Sequence, residues 1–306
     1  MRAWVHKAVA LVILWSGVVA SQAIAGDINL QWDAVPGAAG YHIYYGTQPG
    51  VYGQFVSANG TSATIAGLQD CQTYYLAVKA YNGAGESSSY SNELIGWPRP
   101  IITSTTPTAA VQGDQLTVDV MGSNFRSGAV VSVSPNRGTC SLAKTKGCET
   151  DSDCQSLTEG VCVNSILLNA ATVLSCGHLQ LVATIEPTTA GIRPALVGKI
   201  DVTVDNPDAV FGVKPQAFEV LVNQYRFDIN RTDPTTTNRI DGRDTIFLSR
   251  NFGFSESDAS YDPNDDFNGD GWVDGADLAF IASNLGRCWS STTKSWSLAA
   301  CPSTLQ

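Results

Sequence analysis

Two thirteen-residue stretches of this chain are copies of one another. DGRDTIFLSRNFG, residues 241 to 253, returns as DGADLAFIASNLG, residues 274 to 286, with identity at six of thirteen positions and a constant offset of 33. The region is therefore built from two like units. In the second copy Leu278, Ile281, Ala282 and Leu285 recur at the spacing of one helical face, and Asn284 with Gly286 supplies a C-terminal stop.

Just before that helix, oxygen-bearing side chains fall at nearly every second position. Asp266, Asn268, Asp270, Asp274 and Asp277 occupy places 1, 3, 5, 9 and 12 of a twelve-residue loop, with Gly271 at place 6 and the Trp272 carbonyl at place 7. Those are the coordination places of a calcium loop. Alternate residues of a tight loop turn their oxygens toward one centre. Gly271 permits the positive φ of the bend, and Val273 is expected to pack inward between the two turns. A hard cation takes six to eight oxygens at about 2.3–2.6 Å, and without one the four carboxylates repel one another in a small volume. The alternative is a solvated acidic turn, which the regular spacing disfavours.

The upstream loop is less regular. Asp228 and Asn230 take places 1 and 3, Asp241 and Asp244 take 9 and 12, and Asp233 and the Arg239 carbonyl are the candidates for 5 and 7, but 17 residues stand where 12 are needed. Closure entropy rises slowly with length, so the surplus around TDPTTTN is tolerable. One calcium site is expected in the second loop and a further one in the first, with an empty or weak first site as the alternative.

The formal charge of −10 is concentrated in this region, where twelve Asp or Glu between Val222 and Arg287 face six Arg and no Lys. No basic stripe is available to neutralise phosphates, which argues against a nucleic-acid partner and for cations. An enzyme needs a nucleophile, an acid-base pair or a catalytic metal in a cleft. The three histidines are His6, in a leader, His42, inside an expected strand, and His178. Three modules use nearly the whole chain, so no catalytic function is expected.

Arg2 and Lys7, an apolar run from Ala8 to Val19, and Ala23-Ile24-Ala25 read as a secretory signal peptide over residues 1–25. The run is shorter than the roughly 20 residues a helix needs to cross a bilayer, and no later segment qualifies. A secreted or cell-surface protein with no membrane span after cleavage is expected. Eight cysteines, all beyond the leader, suit an oxidising compartment and an even set of disulfides. Cys140, Cys148, Cys154 and Cys162 crowd an insertion at about 138–165, with Cys176 soon after. Zinc is the rival there, weakened by the lack of a C-x-x-C pair or a nearby histidine. Cys288 and Cys301 are expected to close the tail, residues 288–306, while the pairing of the others, Cys71 included, stays open.

From Ile28 the segments INLQW, GYHIYYG, TSATIAGL, TYYLAVKAY and SNELIGW alternate apolar and polar residues between turn signals, as short strands of a β-sandwich do. Ile28, Leu30 and Trp32 share one face, and so do Tyr41, Ile43 and Tyr45. The GYHIYYG strand, the corner formed by Gly67, Leu68 and Tyr74, YYLAVKAYN and the closing SNE resemble a fibronectin type III domain over residues 26–97. So little chain separates the leader from Ile28 that the family's first strand is expected to be missing, leaving an edge exposed. WPRP, residues 97 to 100, is a stiff junction. Beyond it, IITSTTPTAAVQGDQLTVDVMGSNFRSGAVVSV is similar to the start of an immunoglobulin-like IPT/TIG domain, with Pro107, Gly113, Gly122, Phe125 and Gly128 at the turn and core places. The pattern resumes after the insertion and ends in FEV, so this module is placed at residues 100–221.

The repeat pair, residues 222–287, carries aspartate at place 12 and has no obvious entering helix. It resembles a type I dockerin domain more than a paired EF-hand. The resemblance implies calcium at both loops and a non-catalytic docking or adhesion role, with a cohesin-type or cell-surface protein as partner. The family's recognition pair falls on Gly242-Arg243 and Gly275-Ala276, which lack the hydroxyls of cellulosomal members, and Ser249-Arg250 and Ala282-Ser283 stand where those members carry a basic pair. Partner choice therefore departs from the pattern. An alternative is an accessory in extracellular polysaccharide catabolism, binding glycan on a sandwich face through Tyr41, Tyr44, Tyr45, Tyr52, Tyr74, Tyr75, Tyr81 and Trp97, although at sandwich spacing most of these are core or corner residues. The expected architecture is multidomain: two all-β immunoglobulin-like sandwiches followed by a small α-helical dockerin- or EF-hand-like calcium-binding domain.

Overall fold

The computed structural model describes residues 11–12, 26–140, 142, 147–148, 151–154, 161–186, 195–222, 239–290, 295–297 and 301. In the first module the two-residue period sorts side chains between core and solvent. Ile28, Leu30 and Trp32 are buried along Ile28–Trp32 while Asn29 and Gln31 are exposed, and Tyr41 and Ile43 are buried along Gly40–Gly46. Ile28–Trp32 pairs antiparallel with Ser62–Ile65. The facing sheet has the order Gln54–Ala58, Gly40–Gly46, Tyr74–Tyr81, Leu94–Gly96. Trp32 meets Tyr41 edge-on at 5.3 Å between the sheets, in a core completed by Ile65, Leu68, Leu76 and Val78. The corner forms as the sequence implies: the Tyr74 hydroxyl accepts from the Gln69 amide at 2.8 Å, across a turn in which Gly67 has φ 74°. Leu11–Val12, inside the expected leader, runs antiparallel to Gln31 and Trp32, so this edge is covered only by residues that cleavage after the leader would remove.

The second sandwich packs the order Ile166–Leu168, His178–Ile185, Gln115–Ser123, Ile101–Thr106 against the order Val130–Ser134, Gly198–Asp205, Phe211–Leu221, Ala109–Val111. All pairs are antiparallel except Ala109–Val111 beside Phe211–Leu221. Phe125, Leu179, Ile185, Ile200 and Val220 fill the space between the sheets. At the register shift between Met121 and Gly122 the chain crosses so close to Ile101 that a Cβ on Gly122 would stand 1.9 Å from its carbonyl oxygen, so only glycine fits. The insertion forms its own small sheet, with Gly138–Cys140 between Gly147–Cys148 and Cys162–Asn164, tied by Cys140–Cys154 and Cys148–Cys162.

Cys71 and Cys176 form a disulfide between the two sandwiches, and Cys288 pairs with Cys301. Around the first of these, Asn124 accepts from the Cys71 amide at 2.6 Å and donates to Asp70 at 2.8 Å and to the Arg99 carbonyl at 3.0 Å. Arg99 pairs with Asp27, and Arg126 lies 5.3 Å from the Trp97 ring. The WPRP junction is thus fixed from both sides. No helix among the described residues is long and apolar enough to cross a membrane.

The C-terminal unit holds helices α1 (Gly242–Asn251) and α2 (Gly275–Asn284), followed by a hairpin of Cys288–Ser290 and Ser295–Ser297. Its core is Ile240, Leu248, Phe267, Val273 and Ile281, with Leu278 and Phe280 against it. On α2 the expected apolar face is only half right: Ala282 and Leu285 are exposed, and Ile281 is the fully buried aliphatic residue.

Candidate functional site

Both helices begin in the same way. Asp241 caps α1, accepting from Arg243 N at 2.7 Å while its own amide donates to Asp244 at 2.8 Å. Asp274 caps α2, accepting from Ala276 N at 2.7 Å while its amide donates to Asp277 at 2.9 Å. The reciprocal pair satisfies amides left open at a helix start and favours negative charge there. It also fixes the directions of the carboxylates at places 9 and 12 in each repeat.

The two repeats interlock by a quasi-two-fold exchange. Gly286 N donates to Ile240 O at 2.7 Å and Ile240 N to Arg287 O at 3.0 Å, while Gly253 N donates to Val273 O at 2.8 Å and Val273 N to Phe254 O at 2.9 Å. Each loop therefore pairs with the residues that follow the helix of the other copy. Ile240 and Val273 are both fully buried, as expected for Val273.

The second loop closes around two buried carboxyl groups. Asp266 accepts from Gly269 N at 2.7 Å, Gly271 N at 2.8 Å and the Tyr261 hydroxyl at 2.6 Å. Asp277 accepts from Phe267 N at 2.7 Å. Asn268 and Asp270 exchange hydrogen bonds of 2.8 and 3.0 Å, and Trp272 N donates to Asp270 at 2.9 Å. Gly271 has the positive φ of 92° that its place requires. Burial raises the Asp266 carboxyl above the ordinary range against the pull of its hydrogen bonds, with Asp270 adding to the rise. Burial and then the neighbouring Asp266 charge push Asp277 up to about 7, although its amide donors pull the other way. Two carboxylates that resist ionising side by side are what a divalent cation relieves.

The structure thus brings Asp266, Asn268, Asp270, Asp274 and Asp277 into one loop, with Trp272 exposing its ring at place 7. Asp241 and Asp244 start α1, and Arg239 bridges to Cys288, while Asp228, Asn230 and Asp233 lie outside the described residues. Among the described residues, a group of three donors lying within 4.8 Å of one another is Cys140, Cys148 and Cys154, not the loop carboxylates. Those cysteines are consumed by disulfides, so the zinc alternative falls. The loop carboxylates instead accept from the loop's own amides.

Of the aromatics offered for a sugar-binding face, Tyr44, Tyr52 and Tyr81 join a surface row. On the outside of the first module Tyr81, His42, Phe55, Tyr44, Tyr90 and Tyr52 touch in succession, with ring centroids 4.7 to 5.4 Å apart. Lys79 lies 4.0 Å from the Tyr90 ring, and Phe55 is 54% exposed. Phe55 and Tyr90 fall outside the aromatics that the sequence singled out. Tyr41 and Tyr74, which it included, are in the core. His178 meets Asp119 at 2.7 Å on the surface of the second sandwich.

Residues 16–97 match the model of the fibronectin type III domain, and the first module is such a domain. The match begins inside the expected leader. A stretch of 65 residues is 41% identical to a Kelch domain-containing protein of Saccharolobus solfataricus, covering 21% of this chain and 9% of that protein. A solved Fn3-like protein from Clostridium thermocellum is 28% identical, covering 25% of this chain and 88% of its own, with a TM-score of 0.21. The FN1–FN3 domains of chicken CNTN1 are 12% identical over 63% of this chain and 64% of theirs, with a TM-score of 0.27.

Proposed function

We propose that this is a secreted, non-catalytic docking or adhesion protein whose C-terminal unit, dockerin-like, binds calcium and engages a cohesin-type or cell-surface protein. The fibronectin type III domain fits a modular adhesion or accessory role. The second sandwich, an IPT/TIG-like module in this reading, holds the docking unit away from it. The observation that carries the reading is the second loop: oxygens at places 1, 3, 5, 9 and 12, with Asp266 and Asp277 buried together. Asp266, Asn268, Asp270, Asp274, Asp277 and the Trp272 carbonyl would hold the ion there, and Asp241 and Asp244, with Asp228, Asn230, Asp233 and the Arg239 carbonyl, would hold a second. Bound calcium supplies charge neutralisation and loop order, and no bond is made or broken.

Calorimetric titration of the full chain with calcium tests this, alongside capture of partners from the source secretome with and without chelator. Heat at one or two sites and a partner lost in EDTA is the expected result. A chain that gives no heat with calcium ends the reading.

A second reading is favoured by the outer aromatic row. Sugar rings stack on exposed aromatic faces, and Lys79 beside Tyr90 and Glu93, which accepts from the Tyr52 hydroxyl at 2.7 Å, supply polar contacts, so the first module would bind glycan in extracellular polysaccharide breakdown. Retention on insoluble polysaccharide, lost in Phe55→Ala with Tyr90→Ala, is its expected signature.

A further inference from the structure

The loop from Asp266 to Asp277 is gripped from two sides, and single peptide groups join the two grips. The Asn268–Gly269 peptide accepts on its oxygen from the Val197 amide at 2.6 Å, and its N–H donates to Asp266 Oδ1 at 2.7 Å. The Asp270–Gly271 peptide accepts from Arg137 Nη1 at 2.6 Å and donates to Asp266 Oδ2 at 2.8 Å. The Phe267–Asn268 peptide accepts from Gln112 Nε2 at 3.2 Å, and its N–H lies 3.4 Å from Asp277 Oδ1. The outer donors all belong to the second sandwich. Val197 leads into Gly198–Asp205, Gln112 follows Ala109–Val111, and Arg137 stands just before the insertion sheet. Gln112 is buried and also donates to the Ala195 carbonyl at 2.6 Å, which holds the segment leading through Val197 beside it.

A peptide group is planar, so its oxygen cannot turn without its N–H. Each of the three groups therefore transmits the position of a loop carboxylate to a donor on the sandwich, and the paired hydrogen bonds polarise one another. We propose that cation binding at this loop and docking of the C-terminal unit onto the second sandwich form one coupled equilibrium, carried by these three peptides, with Arg137, Gln112 and Val197 as positioning residues. The inference rests on the calcium reading. With the cation gone, the loop carboxylates lose the ion that orients them, the peptide planes that donate to them turn, and the sandwich loses its acceptors. By linkage, the sandwich contact tightens cation binding by the same factor. The joint is then set at one angle only where calcium is plentiful.

Hydrogen exchange on the full chain, in calcium and in EDTA, tests this beside the calorimetric titration. The Val197 amide should exchange roughly tenfold faster in EDTA, a coupling of ordinary size, while Leu181 and Val120 in the sandwich core keep their rates. Arg137→Leu in saturating calcium should speed Val197 severalfold, and an unchanged rate overturns the relay through Asp270. Calcium seen to bind and leave while Val197 exchange stays fixed overturns the coupling and leaves the calcium reading intact. Loss of protection through the whole sandwich in EDTA overturns it too, because that is unfolding and not a joint. No calcium bound by the wild-type chain sinks both.

Discussion

Asp277 does two jobs that compete. Its carboxylate closes the capping box of α2 and accepts from Phe267 N, while its burial opposes the charge those bonds favour. Asp277→Asn keeps the size of the side chain and removes the charge, so calcium affinity should fall roughly a hundredfold, about 2.7 kcal/mol, in a calorimetric titration. Retained affinity would place the ion elsewhere. Asp274→Ala should cost about 1 kcal/mol in EDTA through the lost cap alone, measured by urea unfolding. On the first module, burial and then donation to Glu93 push the Tyr52 phenol up to about 12 from 10.0. The folded chain holds that proton more tightly than the unfolded one. The contribution to stability is complete below pH 10 and is lost as pH rises from there through 12. Phenolate absorbance should show a late-ionising tyrosine that is absent in Tyr52→Phe and brought down in Glu93→Gln. The oxygen spacing of the loop was legible in the sequence because coordination places are a local pattern. The aromatic row was legible only in Tyr44, Tyr52 and Tyr81, since Phe55 and Tyr90 join them from separate segments.

At the scale of elements, the repeat was plain in the letters but its interlock was not. Residues that follow one helix pair with the loop of the other copy through backbone atoms, which leave no side-chain signature. Among the described residues the two loop-helix units share one core, Ile240 and Leu248 from the first and Phe267, Val273 and Ile281 from the second. Ile240→Ala should therefore cost about 2–5 kcal/mol and loosen α1 and α2 together. Hydrogen exchange checks this: protection lost only in α1 would mean the copies fold separately. The same interlock explains the helical-face error on α2. Periodicity gives which residues share a face, but α2 meets α1 and the loop mainly through Leu278, Phe280 and Ile281, leaving Leu285 at the C-cap in solvent.

Over the whole molecule, two joints set the arrangement, and they differ in kind. The first is covalent: Cys71–Cys176 closes a loop of 105 residues and is surrounded by Asn124, Asp70 and Arg99. Replacing both cysteines by serine should cost about 2–5 kcal/mol in chemical denaturation, with the sandwich cores kept and the two modules free to reorient in small-angle scattering. An unchanged scattering curve would show that the polar contacts hold the joint without the bond. The second joint is the hydrogen-bonded seat of the acidic loop on the second sandwich. The sequence by itself determined the strand alternation, the fibronectin type III corner, the repeat and the spacing of oxygens, because each is written in side chains a few residues apart. Only the tertiary structure decided which cysteines meet and what the loop carbonyls face. Those depend on backbone groups and long-range pairings, and in such contacts the free energy lies in geometry that composition does not encode.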